Sequence, residues 1–427
     1  MKSFLKYLLF TQDIGFIFFD SYTKKKSFLN LIRFFVLKLN QLNKYSSIYL
    51  IREILLKILS IFYVLPGLIL FFLKFKFAIS NSNSVGSYCE ELVSIIGKNN
   101  NRYKLILIEP RSYVDNKYLT ENYFYKEFIK IKSDFLSIIL IPFTYIEFLR
   151  ITGFENKTNL YFQKQFHNFK TKINNDQYFF DHEILFKNYK KFNENFSMSI
   201  NKAKQIKNFS HKSKKICVLQ IRNLKNIKLR NSSFEKYKKS ILYLIKNDYI
   251  IYYFSEKDPK FILDNFIFKN LSVEENKRLQ LDLISTCDLF IGQISGLFHL
   301  AELTKRKMLI TDCVIFNHLL DSKNYSVLFK KYKNKEGNYL SYKNIFKNNL
   351  QCIWDEKILQ LLKINYEDNS EEEIYNALIE LLNNEQNINQ KIKNYFKKNN
   401  IIFPYFDDAI INRSSIFFNE KNFMISD

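Results

Sequence analysis

The chain is poor in the residues that bend or cross-link a backbone. It has 8 glycines and 5 prolines in 427 residues, which excludes Gly/Ser-rich linkers and makes any pair of neighbouring glycines worth explaining. Five cysteines (Cys89, Cys217, Cys287, Cys313 and Cys352) stand apart in mostly apolar surroundings, without a C-x-x-C pair. An odd, scattered set reads as reduced, buried thiols of a cytoplasmic protein, not as a disulfide frame or a zinc site. The five histidines show no H-E-x-x-H spacing, and neither G-x-G-x-x-G nor G-x-x-x-x-G-K-[ST] occurs, which argues against a P-loop. No D-x-D occurs, so no carboxylate-held divalent metal is expected, and no cofactor. Arginine is scarce as well: 10 of the 65 basic residues, the other 55 being lysine. A nucleic-acid binder concentrates its charge and uses Arg for bidentate contacts. Here the lysines are spread over many segments, as composition drift would spread them, so no nucleic-acid partner is expected. A basic surface of this kind still attracts anionic head groups and phosphorylated substrates.

What is present is a chain of 47% hydrophobic and 17% aromatic residues with a formal net charge of +23. It can bury a real core, and its length fits two domains with an extra segment. Residues 1–74 are Leu/Phe/Ile-rich with basic residues at intervals. The run Tyr7–Phe10 is too short for a signal peptide, and Asp13 breaks its continuation. Ile32, Phe35, Val36, Leu39 and Leu42 recur at helical spacing. Between Lys57 and Lys74 lie 16 uncharged residues, short of a spanning helix, with Pro66-Gly67 placed to kink or end a helix. Two readings fit: a basic, apolar helical segment lying on a membrane face, or helices packed on the protein's own core.

From Phe75 the pattern becomes α/β. "FKFAIS" reads as a strand, "NSNSVGS" as a polar loop containing Gly86, "YCEELVSIIGK" as a helix stopped at Gly97, and "KLILIEP" as a second strand. Residues 156–214 are polar and read as the remainder of this domain and a linker. The second run is clearer: strand Lys215–Arg222, a polar loop, and an amphipathic helix with Tyr237, Ile241, Leu242 and Ile245 on one face. Then come strand Tyr249–Ser255, one further strand in "DNFIFKNLS", helix "LQLDLISTC", strand "DLFIG", loop "QISG", helix "LFHLAELTKR" and strand "KMLITD". Such alternation predicts parallel sheets with right-handed crossovers. Ser370 and Glu373 form a capping box ahead of Ile374, Ala377, Leu378 and Leu381.

The QISG loop sits where ligands bind in a parallel sheet, beyond a strand's carboxyl end and at a helix N-terminus. Gly296 lets the backbone approach an anion closely. Gln293 and Ser295 lie in the same loop, where Ser295 is placed to cap the helix or donate to a phosphate oxygen, and His299 falls in the first helical turn. Arg222 ends a strand at the same edge, and Arg230 follows in the adjoining loop. Both are rare arginines suited to forking onto phosphate.

At these residues the chain resembles a family. "GQISGLFHLAE" followed by "KRKMLITD" is similar to the donor-binding loop of GT-B glycosyltransferases, which carry two Rossmann-like domains, in the heptosyltransferase-like and O-fucosyltransferase-like form. The closer match is to bacterial surface-polysaccharide glycosyltransferases. "SNSVGSYCEEL", with Ser84 and Gly86, resembles that group's acceptor-side loop, and "INRSSIFFNEKNF" its closing segment. Ser232-Ser233 stand where that group carries an acidic residue. The resemblance implies α/β architecture with an acceptor-side domain over 75–214 and a nucleotide-sugar-binding domain over 215–427, behind the helical segment 1–74. It implies a metal-independent glycosyltransferase moving a sugar from a nucleotide-sugar donor to a cell-envelope glycan or lipid-linked acceptor. The donor would be held by Arg222, Arg230, Gln293, Ser295, Gly296 and His299. An inverting reaction needs a general base on the acceptor side, for which Glu90, Glu109 and Asp115 are candidates. The expected location is cytoplasmic, in peripheral contact with the inner membrane. The alternatives are a pyruvyl or phosphoryl transferase on the same scaffold, or a non-catalytic, membrane-associated nucleotide-binding protein.

Overall fold

In a computed structural model of the chain, the described residues are 55–79, 85–99, 101–108, 127–151, 214–222, 228–255, 258–314, 325–345, 350 and 356–383, apart from short breaks within these spans. Contacts divide the chain into two compact units, Met1–Asn83 with Glu90–Ser197, and Ser84–Cys89 with Met198–Asp427.

The first unit holds a four-stranded parallel sheet of β1 (Phe75–Ile79), β2 (Lys104–Ile108), β3 (Phe128–Lys130) and β4 (Arg150–Ile151), in the order β3-β2-β1-β4. Helix α1 (Val64–Phe72) enters β1, and α2 (Val85–Asn99) links β1 to β2. One expectation is corrected here. Gly86 does not lie in a loop but in the first turn of α2, which also runs past Gly97. The break expected at Pro66 is present: helical residues run to Phe62, Tyr63 is a turn, and α1 restarts at Val64 with Pro66 in its first turn, where a missing N–H costs no bond within α1. Gly67 then lets α1 press on the unit's core, since a Cβ there would stand 2.7 Å from Leu149 Cδ1. That core is Phe77, Ile108, Ile141, Phe143, Ile146 and Leu149, with the rings of Phe77 and Phe143 stacked at 4.9 Å.

The second unit is a six-stranded, wholly parallel sheet: β5 (Lys215–Gln220), β6 (Tyr249–Ser255), β7 (Phe266–Asn270), β8 (Leu289–Gly292), β9 (Lys307–Cys313) and β10 (Tyr325–Phe329). Their order is β10-β9-β8-β5-β6-β7. Counted from β5, this is 6-5-4-1-2-3, the doubly wound Rossmann arrangement, whose strand order reverses between β5 and β8. The sequence pattern had not singled out β10 or the small antiparallel ribbon β11–β12 (Lys331–Lys333 with Asn365–Glu367). The covering helices are α3 (Lys238–Lys246), α4 (Glu274–Thr286), α5 (Gly296–Leu303), α6 (Glu356–Leu361) and α7 (Glu371–Leu382).

Strands β6 and β8 are nearly all apolar and are buried along most of their lengths, as strands covered on both faces must be, and the centre of β5, Cys217, Val218 and Leu219, is buried likewise. Helix α3 contributes Tyr237 from the 3-10 turn before it, with Ile241 and Leu244. Leu242, expected on that face, is instead 46% exposed, one residue step being 100° of helix. The capping box at α7 forms: Ser370 Oγ accepts from the Glu373 N–H, and Glu373 accepts from the Ser370 N–H. The four described cysteines, Cys89, Cys217, Cys287 and Cys313, are buried, and none forms a disulfide.

Candidate functional site

The site grows from the reversal point of the second sheet. The last residues of β5 and β8 pair as Gln220↔Gly292. A Cβ on Gly292 would stand 2.7 Å from the Gln220 carbonyl oxygen and 3.2 Å from Phe290 Cζ. Only glycine lets β8 lie so close to β5 at this point. Immediately beyond it, Gln293, Ile294 and Ser295 lead into α5, which starts at Gly296.

Both expected arginines reach this loop. An Nη1–H of Arg222 donates to the Ile294 carbonyl at 3.1 Å, and an Nη2–H of Arg230 donates to the same oxygen at 2.6 Å. Arg230 is brought there by the 3-10 turn Lys228–Arg230, and the chain is tied back by the Ser232 N–H on the Arg222 carbonyl at 3.1 Å. Two guanidinium groups thus converge on one carbonyl beside the N-terminal, electropositive end of α5. Burial pulls the Arg222 guanidinium below its ordinary value, as it must for a cation partly withdrawn from water.

Gln293 is 1% exposed and holds the loop from beneath. Its Oε1 accepts the Arg222 backbone N–H at 2.7 Å, while its Nε2 donates to Tyr237 Oη at 2.6 Å and Thr311 Oγ1 at 3.1 Å. Tyr237 Oη also lies 2.5 Å from Thr311 Oγ1 and 3.3 Å from Ser232 Oγ. Burial, reinforced by the nearby Asp312, raises the Tyr237 hydroxyl far above its ordinary range, so it stays protonated.

Ser295 behaves differently from the expectation that it caps the helix. It occupies the N-cap position, but its side chain makes no cap bond. Its Oγ donates to Gln220 Oε1 at 3.1 Å instead. That choice leaves the first N–H groups of α5 without a side-chain cap, the condition under which a helix end receives an anion. His299 is buried, in the first turn of α5, and its described contacts run to Glu302, Nδ1 to Oε2 at 3.6 Å, and to the Phe298 ring.

The residues that sequence reasoning missed lie at the end of β9. Between the pairs Val327↔Ile310 and Phe329↔Cys313 the register shifts, so Thr311 and Asp312 together face one residue of β10. This is a bulge, with Asp312 at φ 50°. It turns Thr311 toward Tyr237 and Gln293, and Asp312 toward Asn369. There the Asp312 N–H donates to Asn369 Oδ1 and the Asn369 N–H to Asp312 Oδ1, each at 2.6 Å. Burial raises the Asp312 carboxyl, and Lys330 opposes that shift. Buried Lys330 bonds the Asn231 carbonyl at 3.0 Å and pairs with Asp368, which also takes Lys236 at 2.7 Å. The only signal of this network in the sequence is its position, "TD" at the carboxyl end of a strand.

Of the proposed acceptor-side residues, Gly86 lies in α2 as described, and Glu90 falls on the same helix. Ser84, Glu109 and Asp115 lie outside the described residues.

No protein-family model matches the chain, and no curated protein does. Among solved structures, E. coli heptosyltransferase WaaC with ADP-2-deoxy-2-fluoro heptose is similar at 9% identity and a TM-score of 0.32, over 59% of this chain and 92% of that one. A likeness of that size assigns neither family nor activity, and the fold is read from the strand order.

Proposed function

We propose that the second unit binds the diphosphate of a nucleotide sugar at the β5/β8 reversal, and that the protein is a glycosyltransferase acting on a cell-envelope glycan or lipid-linked acceptor. The observation that carries this reading is the convergence of Arg222 and Arg230 beside the start of α5. A guanidinium fork and helix N–H groups are complementary to a diphosphate, and doubly wound sheets bind nucleotides at this place. The sugar comes from the loop's resemblance to GT-B donor sites. In the reaction, the bond from the anomeric carbon to the diphosphate breaks, its electrons pass to the phosphate oxygen, and an acceptor hydroxyl attacks after losing its proton. The two arginines and the α5 N–H groups stabilise the leaving charge without a metal. Glu90, Glu109 and Asp115 are the candidates for the base. Work on a lipid-linked acceptor places the protein at the cytoplasmic face of the inner membrane as a peripheral protein.

The test is thermal stabilisation by UDP, GDP, CDP, ADP and dTDP. At about a hundredfold excess over Kd, binding adds about 2.7 kcal/mol, which in a unit of this size raises Tm by about 5–10 °C. The rise is expected with one diphosphate and is lost in Gly296→Val and Arg222→Gln. No shift with any diphosphate, in folded protein, refutes the reading.

A further inference from the structure

We infer that the outward face of α1 and the helical turns before it is a docking surface for an anionic lipid bilayer. The inward face of this segment is committed to protein. Tyr63 meets the Phe143 ring edge-on at 4.9 Å, Phe71 meets Phe148 at 5.6 Å, and Gly67 is pressed against Leu149. The outward face is as apolar as the inward one and has no cover among the described residues. Phe62 is 75% exposed, Leu65 73%, Ile69 59% and Phe72 79%. Their spacing of three and four residues puts them on one stripe. Contiguous exposed apolar area of this kind on a folded protein marks a contact site.

Charge selects the occupant. From residue 54 to residue 89 there is no acidic residue, and the charged ones are Lys57, Lys74 and Lys76. Lys74, exposed at the end of α1, lies close in sequence to Lys76 of β1, and Lys104, at the start of β2, pairs directly beside β1. An apolar stripe ended by lysines matches an acyl boundary beneath anionic head groups. A second copy of this chain fits worse, because each copy carries a net +23 and like charges oppose approach. The helix lies on the surface and does not cross it. Among the described residues no helix is long and apolar enough to span a membrane, and α1 is held along one side by the core of its own unit.

This inference concerns the first unit and stands whether or not the second binds a nucleotide sugar. Its test is cosedimentation of the full chain with vesicles of phosphatidylcholine mixed with phosphatidylglycerol, against phosphatidylcholine alone, at low and high salt. The protein is expected to partition onto the mixed vesicles, less so in high salt. Exchanging Phe62, Leu65 and Phe72 for serine removes outward side chains only, and is expected to lower partitioning by about a hundredfold. Should that variant misfold, Phe72→Trp serves: its emission, taken as a difference from the unsubstituted protein, shifts to the blue on mixed vesicles and not on the neutral ones. Unchanged partitioning in the serine variant, or no blue shift in the Phe72→Trp protein, overturns the inference. So does a dimer of the free protein that the serine variant dissociates, which would assign the face to a second copy.

Discussion

Two buried glutamines in the second unit lead to opposite predictions. Gln293 is 1% exposed and Gln280 4%. Gln293 bridges Arg222, Tyr237 and Thr311, whereas Gln280 Nε2 is buried with no hydrogen-bond partner among the described residues. Methionine nearly conserves the volume of glutamine, so Gln→Met at either site exchanges a polar end for an apolar one with little cavity. At 293 it strands the Arg222 N–H, costing about 1–3 kcal/mol, and removes two donated bonds worth about 1 kcal/mol each. Tyr237 and Thr311 keep each other, which caps the loss, so the expected total is about 3 kcal/mol. In a unit of this size that lowers Tm by about 6–12 °C. At 280 the change removes a donor that the fold leaves unmatched, and stability is expected to hold or rise by about 1 kcal/mol. Urea unfolding followed by circular dichroism reads both changes. The slope should stay constant while the midpoint falls for Gln293→Met and holds or rises for Gln280→Met. A loss below about 1 kcal/mol for Gln293→Met would refute the bridging role of that side chain. A loss at 280 as large as at 293 would show that burial alone, and not pairing, sets the cost.

Two glycines form a second contrast. Gly292→Ala drives a Cβ into a backbone carbonyl and is expected to cost about 2 kcal/mol or more, read from the urea midpoint. Gly67→Ala meets the side-chain tips of Leu149 at 2.7 Å and Ile146 at 3.2 Å and no backbone atom, and helix propensity favours Ala by about 1 kcal/mol, so once those tips shift it should be close to neutral. Glu367 supplies a pH dependence. Burial alone would raise its carboxyl, but hydrogen bonds from Lys333, Lys331 and Tyr339 outweigh that and hold it at about 2, down from 4.5. Its folded value lies below its unfolded one, so its stabilisation is complete above pH 4.5 and disappears as pH falls to about 2. Glu367→Gln should flatten the unfolding midpoint across that window, and an unchanged acid limb would refute the assignment. Tyr237→Phe removes a hydroxyl shared with Gln293 and Thr311 and is expected to cost about 1–2 kcal/mol, measured by the same unfolding curves.

Five of the six strands of the second sheet, β5 to β9, were legible because each is a short apolar run closed by a turn, and buried parallel strands require that pattern. Arg222 and Arg230 stood out for a different reason, being rare arginines at the end of such a strand. Tyr237 was read correctly as a buried helix-face residue, but a buried tyrosine looks the same in sequence whether its hydroxyl is idle or bridges a loop. Thr311 and Asp312 were read as the tail of a strand. The bulge that turns them in two directions depends on β10, a neighbour the pattern had not identified. Gly86 was placed in a loop with the polar residues that precede it, yet in a first turn the cost of a glycine is small and the helix forms through it.

The sequence by itself determined the alternation of strands and helices, the capped start of α7, and the loop that enters α5. Each rests on contacts between residues close in the chain, whose spacing is written in the order of residues. The tertiary structure alone decided that Arg222, Arg230 and Ile294 meet, that Ser295 turns to Gln220 and leaves its helix uncapped, and that α1 keeps an apolar face outward. Those outcomes join residues from separate strands and helices. They depend on the order β10-β9-β8-β5-β6-β7 and on the packing of α1, neither of which any local pattern specifies.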